Sequence, residues 1–244
     1  AFRLRPSRDA AQDWAVNVTA TADLLAACAR AGVRHFVYTS SAAVYGARPG
    51  APPHPETDPL NPVAGFRYGE HKAAVERFLA ETAARHPAMA VTTLRTCTVL
   101  APGAVNFVTD LLALRLLPVS IGDDPEMQFL HVDDLARAAM IVLTRGARGA
   151  FNLAGGDTIT WREVIRLAGS RPLPLPARLI AALADLSWKA HLQTRSPSGG
   201  LEMIRYPWLA DLGQARRLGQ EAVKRTRCHK HYACQHDGAD DHRP

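Results

Sequence analysis

The sequence is poor in cysteine and contains no long apolar run. Its cysteines are Cys28, Cys97, Cys228 and Cys234, too few and too scattered to form a disulfide framework. No stretch of about 18 apolar residues is present, so no membrane-spanning helix is expected. The amino-terminal residues also lack the apolar core of a signal peptide. These absences predict a cytoplasmic protein with no membrane partner.

The chain has no dominant charge and no initiating methionine. It carries 29 basic and 23 acidic residues, and the resulting net charge of +6 is spread along the sequence. Nucleic acid is therefore not expected as a partner, because such ligands select a gathered basic stripe. The hydrophobic fraction of 47% is enough for a sizeable core. Because the first residue is Ala1, we expect a fragment or a processed product.

The apolar periodicity is lost from about residue 220 onward. Residues 220–244 are therefore predicted to form a disordered or loosely attached tail. By residue type, the potential zinc ligands of this tail are Cys228, His229, His231, Cys234 and His236. Their spacing matches no ordered zinc finger, so no metal site is predicted.

Helical and strand patterns alternate through the first part of the chain. Apolar spacing predicts helices over residues 17–31 and 68–85, and short β-rich runs at residues 35–38 and 90–94. This alternation is typical of a parallel sheet with crossover helices, and therefore of an α/β fold.

The later part of the chain continues with shorter elements. Strands are predicted over residues 128–132 and 150–153. The helix after the first of these strands would be capped by Asp133 or Asp134, since a carboxylate accepts from the free amides of a first turn. Residues 173–192 combine prolines with an amphipathic helical stretch.

One pair of residues at helical spacing suggests acid–base chemistry. Tyr68 and Lys72 are four positions apart, so on a helix the phenol and the ammonium share a face. A free phenol has a pKa of about 10, and a fixed cation nearby lowers that pKa by favouring the phenolate. The spacing alone is equally compatible with an ordinary solvated helix face.

The hydroxyls of Ser40 and Ser41 follow a predicted strand at residues 35–38. The carboxyl ends of strands in an open α/β sheet are where ligands bind. A serine there is able to hydrogen-bond a substrate oxygen while Tyr68 transfers a proton. Without Tyr68 and Lys72, the hydroxyls are as compatible with a simple turn.

Several segments, which occur in the same order as in a known family, resemble the motifs of that family. They are residues 17–21, 32–46, 94–95 with 102–103, 129–136 and 151–155. Through them and the Tyr68/Lys72 pair, the chain resembles the extended short-chain dehydrogenase/reductases, also called NAD-dependent epimerase/dehydratases, over roughly residues 1–219. The resemblance implies an α/β fold with a partial Rossmann-type parallel sheet, crossover helices and a smaller carboxyl-terminal substrate lobe.

The resemblance also implies roles for single residues. Ser41 would orient the substrate oxygen and Tyr68 would be the general acid/base. Lys72 would hold the nicotinamide ribose and lower the pKa of Tyr68. Asn17 and Cys97 would lie near the cofactor together with Tyr68 and Lys72.

The implied cofactor is NAD or NADP, but the family's Gly-rich phosphate loop is absent from this sequence. The chain as given is therefore expected to bind the dinucleotide poorly, because that loop supplies the amides that hold the pyrophosphate. Ser40 is the alternative to Ser41 if the register shifts by one. A homodimer built from the helices that contain Asn17 and Tyr68 is also implied.

The implied organisation has two parts. Residues 1–103 with about 128–154 would be the remainder of the NAD(P)-binding Rossmann domain. Residues 104–127 and 155–219 would form the substrate lobe.

Two departures from the family bear on the substrate. Met127 stands where enzymes that bind nucleotide-sugars usually have an arginine, and Thr98 where many sugar-nucleotide epimerases have an asparagine. The predicted function is an NAD(P)-dependent oxidoreductase acting on a carbonyl or alcohol carbon of a small molecule, such as a sugar or a sterol-like or other alcohol. The alternatives are a sugar-nucleotide epimerase or dehydratase with a transient keto intermediate, a noncatalytic relative that senses dinucleotide or binds a protein, and an inactive fragment.

Overall fold

The computed structural model describes residues 3–193 and 197–219, so the predictions for residues 220–244 lie outside it. The strands are β1 (His35–Ser41), β2 (Ala90–Thr96), β3 (Thr98–Leu100), β4 (Leu116–Ser120), β5 (Glu126–Met127), β6 (Phe129–His131), β7 (Gly149–Leu153), β8 (Ile159–Thr160) and β9 (Arg171–Leu175). The α-helices are α1 (Ala10–Trp14), α2 (Ala20–Arg30), α3 (Arg67–Arg85), α4 (Phe107–Leu112), α5 (Val132–Arg145), α6 (Trp161–Leu167), α7 (Ala177–Lys189) and α8 (Gly213–Arg217). A π-helical turn spans Ala15–Thr19, and 3₁₀ turns span Ala42–Tyr45 and Ser198–Ile204. None of these helices is both long enough and apolar enough to cross a bilayer.

A three-stranded parallel sheet in the order β1-β2-β7 organises the chain. The central strand β2 is buried at every position, as expected for a strand with a neighbour on both edges. Ser41, the last residue of β1, lies opposite Thr96, the last residue of β2. The α/β fold with a parallel sheet and crossover helices is therefore confirmed.

The first helix is longer and less regular than its apolar spacing predicts. It begins at Ala10, capped by Asp9, whose Oδ1 accepts from the Gln12 amide at 2.9 Å. The π-helical turn joins α1 to α2 and contains Asn17. A π-helical turn inserts one residue into the helical repeat, so it changes where the side chains after it point.

A strand was missed at the start of the segment predicted to combine prolines with an amphipathic helical stretch. Arg171–Leu175 forms β9, which pairs in parallel with β4, and only the part from Ala177 onward is helical. Pro172 and Pro174 have no amide hydrogen, so local propensity argues against a strand here. The pairing survives because the flanking amides of Arg171 and Ile121 donate across the pair at 3.0 and 3.1 Å.

The predicted cap of α5 is wrong by two or three residues. The helix begins at Val132, and its cap is His131, whose Nδ1 accepts from the Asp133 amide at 3.2 Å. Asp133 and Asp134 lie within the first turn, where their charges still favour the positive end of the helix dipole.

A buried ion pair ties α3 to the central sheet. The guanidinium of Arg95, on β2, donates to both carboxylate oxygens of Glu76, on α3, at distances of 2.7 to 3.2 Å. Ser40 Oγ donates to the same carboxylate at 2.5 Å, and Ser40 is the register partner of Arg95. Arg95 Nη1 also donates to the Tyr45 hydroxyl at 2.7 Å. All polar groups of the pair are thereby engaged, as a buried ion pair requires.

We expect Arg95→Met to lower the free energy of unfolding by about 3–5 kcal/mol, because it leaves the Glu76 carboxylate buried without its cation. Urea denaturation measures the loss. Arg166→Met is the matched control, since Arg166 pairs with Glu163 on the exposed face of α6. Equal losses in the two variants would show that the Arg95–Glu76 pair is not a main support of the fold.

Candidate active site

A cavity of ≈ 1100 Å³ opens where β1 and β2 end. Its lining includes every residue that the sequence indicated for the site, namely Asn17, Ser41, Tyr68, Lys72 and Cys97. The phenol, the ammonium and the strand-end hydroxyl thus share one cleft. A space of this size holds a drug-sized ligand with room left over.

The side chains of Ser41 and Tyr68 are hydrogen-bonded to each other. Ser41 Oγ also accepts from the Ala43 amide at 3.2 Å, which fixes the hydroxyl at the end of β1. Gly69 allows α3 to approach the turn after β1 closely, because a Cβ at this position would lie only 3.0 Å from the Ala43 carbonyl oxygen. The beginning of α3 is thereby brought against the turn after β1.

Burial raises the pKa of the Tyr68 phenol, and the hydrogen bond with Ser41 opposes that shift. The resemblance implied the opposite direction, a pKa lowered by Lys72. Lys72 Nζ lies 5.8 Å from the centre of the Tyr68 ring, and the loss of hydration outweighs stabilisation of the phenolate at that distance. Tyr68 is therefore protonated at neutral pH.

Two contacts hold the Lys72 side chain at the wall of the cavity. Its Nζ donates to the Thr39 carbonyl at 2.7 Å and lies 4.6 Å from the centre of the Tyr38 ring. The side chain is buried, which lowers the pKa of the ammonium to about 8, while the Glu76 carboxylate opposes the shift. A lysine in such a place is poised to change its charge near neutral pH.

The geometry separates the two neighbouring serines. Ser40 donates to Glu76 and belongs to the buried ion-pair network. Ser41 is the serine that bonds to Tyr68. This division follows from the alternation of side chains along a strand.

Asn17 and Cys97 border the cavity in different ways. Asn17 Oδ1 accepts from the Arg3 amide at 2.6 Å, and its Nδ2 donates to the Arg3 carbonyl at 3.1 Å. The same Nδ2 lies 3.2 Å from His71 Nδ1, so the amide is fully engaged in holding the residue-3 segment along the cavity. Cys97 is buried, which raises the pKa of its thiol to about 12 and keeps it protonated at neutral pH.

Sequence reasoning missed Glu76, Arg95 and Tyr38. Glu76 had a signal, since it follows Lys72 by four positions on the same helix face. Arg95 and Tyr38 lie in segments that carry the family resemblance, residues 94–95 and 32–46, but no spacing placed them beside Glu76 or Lys72, because strand residues meet helix residues only through the tertiary fold. No group of three or more potential metal ligands occurs among residues 3–193 and 197–219.

The sequence of this chain is similar to a family model and to curated proteins. A family model described as the NAD dependent epimerase/dehydratase family matches residues 4–154, more than half of the chain. An uncharacterised protein of Mycobacterium tuberculosis is 31% identical over 179 residues, covering 72% of this chain and 47% of the relative. A UDP-glucose 4-epimerase of Streptomyces lividans is 32% identical over 185 residues, covering 66% of this chain and 55% of the relative.

A solved structure shows the same fold over most of the chain. MoeE5 in complex with UDP-glucuronic acid and NAD superposes with a TM-score of 0.64 at 27% identity. The match covers 89% of this chain and 69% of MoeE5. The chain spans about half the length of the curated relatives it matches.

We expect the Lys72 ammonium to titrate near pH 8 in the folded protein, as an NMR titration of the lysine side chains measures. The cause is burial, which disfavours the charged form. Since an unfolded lysine titrates at about 10.4, the unfolded chain binds more protons between these values, and this group makes stability rise with pH there.

The matched variants for this titration are Lys72→Arg, which must remove the shifted signal, and Lys189→Arg, which must leave it. Lys189 is exposed at the end of α7. A Lys72 signal that titrates above pH 10 would contradict the burial of its ammonium.

Proposed function

The chain belongs to the NAD-dependent epimerase/dehydratase family, and we propose that it acts in an enzyme that exchanges a hydride between NAD and an alcohol or carbonyl carbon. In this proposal Ser41, Tyr68 and Lys72 transfer the proton that accompanies the hydride. The observation that carries this proposal is the hydrogen bond between Ser41 and Tyr68 in a cavity that Lys72 also lines. The three groups supply a proton donor, a hydroxyl that orients it and a cation close by.

The proposed chemistry divides between the cofactor and these side chains. A bound NAD would supply the hydride acceptor for an alcohol carbon, and its reduced form, NADH, would supply the hydride donor for a carbonyl carbon. In the carbonyl-to-alcohol direction, Tyr68 donates its proton to the substrate oxygen, and in reverse it accepts that proton. Ser41 holds the phenol and the substrate oxygen in line, and the Lys72 ammonium stabilises the phenolate left behind.

The cavity suits such a cofactor. Its volume accommodates more than a small substrate, and the buried Tyr38 hydroxyl, which borders it, has no hydrogen-bond partner. NAD is preferred to NADP in this proposal because MoeE5, which shares the fold, is seen with NAD. In this proposal Asn17 holds the wall of the cavity beside the cofactor, and Cys97 lines the cavity.

We further propose the division into a Rossmann remainder, residues 1–103 and 128–154, and a substrate lobe, residues 104–127 and 155–219. The β1-β2-β7 sheet falls in the first part and the β4-β9 pair in the second, which supports this division. A homodimer through α2 and α3 is supported by Leu24 and Phe78, which these helices leave exposed.

A nucleotide-sugar epimerase or dehydratase is the second candidate. It is favoured by the relative from Streptomyces lividans, a UDP-glucose 4-epimerase, and by MoeE5, seen with UDP-glucuronic acid. The same proton-transfer groups would then work on a sugar hydroxyl, and the hydride would return to the substrate before release.

We expect Tyr68→Phe to lower kcat by about 10²- to 10⁴-fold, because it removes the proton that the substrate oxygen receives. The assay follows substrate turnover by the protein expressed from its complete open reading frame. Tyr206→Phe is the matched control, since Tyr206 does not line the cavity. Unchanged turnover in Tyr68→Phe, with the folded state intact by circular dichroism, would exclude Tyr68 as the acid/base and favour a noncatalytic relative.

The two enzyme candidates differ in the balance of hydride. A dehydrogenase leaves NADH in step with product, whereas an epimerase returns the hydride and leaves no net NADH. We expect NADH to accumulate one for one with the oxidised product, as absorbance and chromatography together measure. Product formation without NADH would favour the epimerase or dehydratase.

A further inference from the structure

The Lys72 ammonium is in contact with two consecutive residues of β1. Its Nζ donates to the Thr39 carbonyl at 2.7 Å and lies over the Tyr38 ring, 4.6 Å from the ring centre. A ring centre within about 6 Å attracts an ammonium through the negative face of its π system. Neighbouring positions of the strand therefore offer the cation a backbone dipole and a ring face.

Burial makes these contacts matter. Lys72 is only 5% exposed, so its ammonium has lost most of its water and needs compensation from nearby groups. The Glu76 carboxylate attracts the ammonium from one turn further along α3. Both carboxylate oxygens, however, already accept hydrogen bonds from the Arg95 guanidinium. Because the charges of that pair largely cancel, the ring face of Tyr38 is an important part of the remaining compensation.

The other titratable and charged groups near the ammonium come from α3 and β2. The Tyr68 ring centre lies 5.8 Å from Nζ, farther than that of Tyr38. Glu76 and, through it, Arg95 supply charges of opposite sign. His71, although adjacent in sequence, contacts the π-helical turn instead. Of the two tyrosine rings, that of Tyr38 is therefore the one placed to act on the cation.

The ring of Tyr38, rather than its hydroxyl, makes the contact. Burial raises the pKa of the Tyr38 phenol, so the ring meets the ammonium as a neutral π system and not as a phenolate. The hydroxyl is buried and has no hydrogen-bond partner among the described residues. An unpartnered buried hydroxyl costs free energy, so it is the ring that fixes Tyr38 in this place.

We propose that Tyr38 is a positioning residue, whose ring face holds the Lys72 ammonium against the Thr39 carbonyl at the wall of the cavity. In this role it acts through Lys72 rather than on the reacting atoms. The inference rests on the proposed function, which needs Lys72 both charged and fixed beside Tyr68. Without the ring face the ammonium loses a compensating contact, and its charge is lost at a lower pH.

The test compares Tyr38→Phe, which keeps the ring face, with Tyr38→Met, which keeps an apolar side chain of similar length without one. An NMR titration of the Lys72 side chain, whose midpoint is expected near pH 8, needs neither substrate nor cofactor. We expect Tyr38→Met to lower that midpoint by about 1 pH unit, the size of a desolvated cation–π contact, and Tyr38→Phe to leave it unchanged. In turnover by the protein from its complete open reading frame, the alkaline loss of kcat should begin at a lower pH in Tyr38→Met and not in Tyr38→Phe.

Phe36→Met is the matched control for packing. Phe36 precedes Tyr38 by two positions on the same side of β1 and packs against the same apolar cluster, about 7 Å nearer the beginning of the strand. It should leave the Lys72 midpoint unchanged even if it lowers thermal stability as much as Tyr38→Met, which circular dichroism measures.

A Lys72 midpoint that stays the same or rises in Tyr38→Met, or that falls equally in Tyr38→Phe or Phe36→Met, would overturn the assignment of the Tyr38 ring. Failure of the proposed function has a different signature. In that case the midpoint falls in Tyr38→Met, but turnover does not depend on Tyr68.

Discussion

The contact between the Glu76 carboxylate and the Arg95 guanidinium holds the helix of the site against the strands of the site. Glu76 lies one turn beyond Lys72 on α3, and Arg95 lies next to Ser40 across the β1–β2 pair. Because Ser40 donates to the same carboxylate, the Glu76 side chain fixes the position of α3 relative to both β1 and β2. That position in turn places Tyr68 and Lys72 near Ser41.

The same carboxylate also shapes the electrostatics of the site. Burial makes the ammonium of Lys72 costly, and the nearby Glu76 recovers part of that cost. Burial moves the pKa of Tyr68 upward, and the hydrogen bond with Ser41 opposes that shift. The site therefore holds a phenol that stays protonated at neutral pH and a lysine whose positive charge is weakly retained.

Local patterns predicted the parts of the molecule that depend on local physics. The helix expected over residues 68–85 spans Arg67–Arg85, and the strand expected at residues 35–38 extends to Ser41. Helical spacing placed Tyr68 and Lys72 on one face, and both do border the same cavity. The π-helical turn around Asn17 and the strand β9 were missed. The π-helical turn depends on the contact between Asn17 and the Arg3 backbone, and β9 depends on a partner strand about 55 residues away in the chain. Neither dependence can be detected in a short stretch of sequence.

The sequence by itself determined the α/β alternation, the family resemblance and the residue types available for chemistry, because periodicity and spacing are properties of neighbouring residues. The tertiary structure alone decided that Ser41 rather than Ser40 meets Tyr68, that the Tyr68 pKa rises, and that the predicted site residues line one cavity. Each of these depends on burial and on contacts between residues far apart in the chain. Desolvation and long-range pairing arise only when the chain has folded.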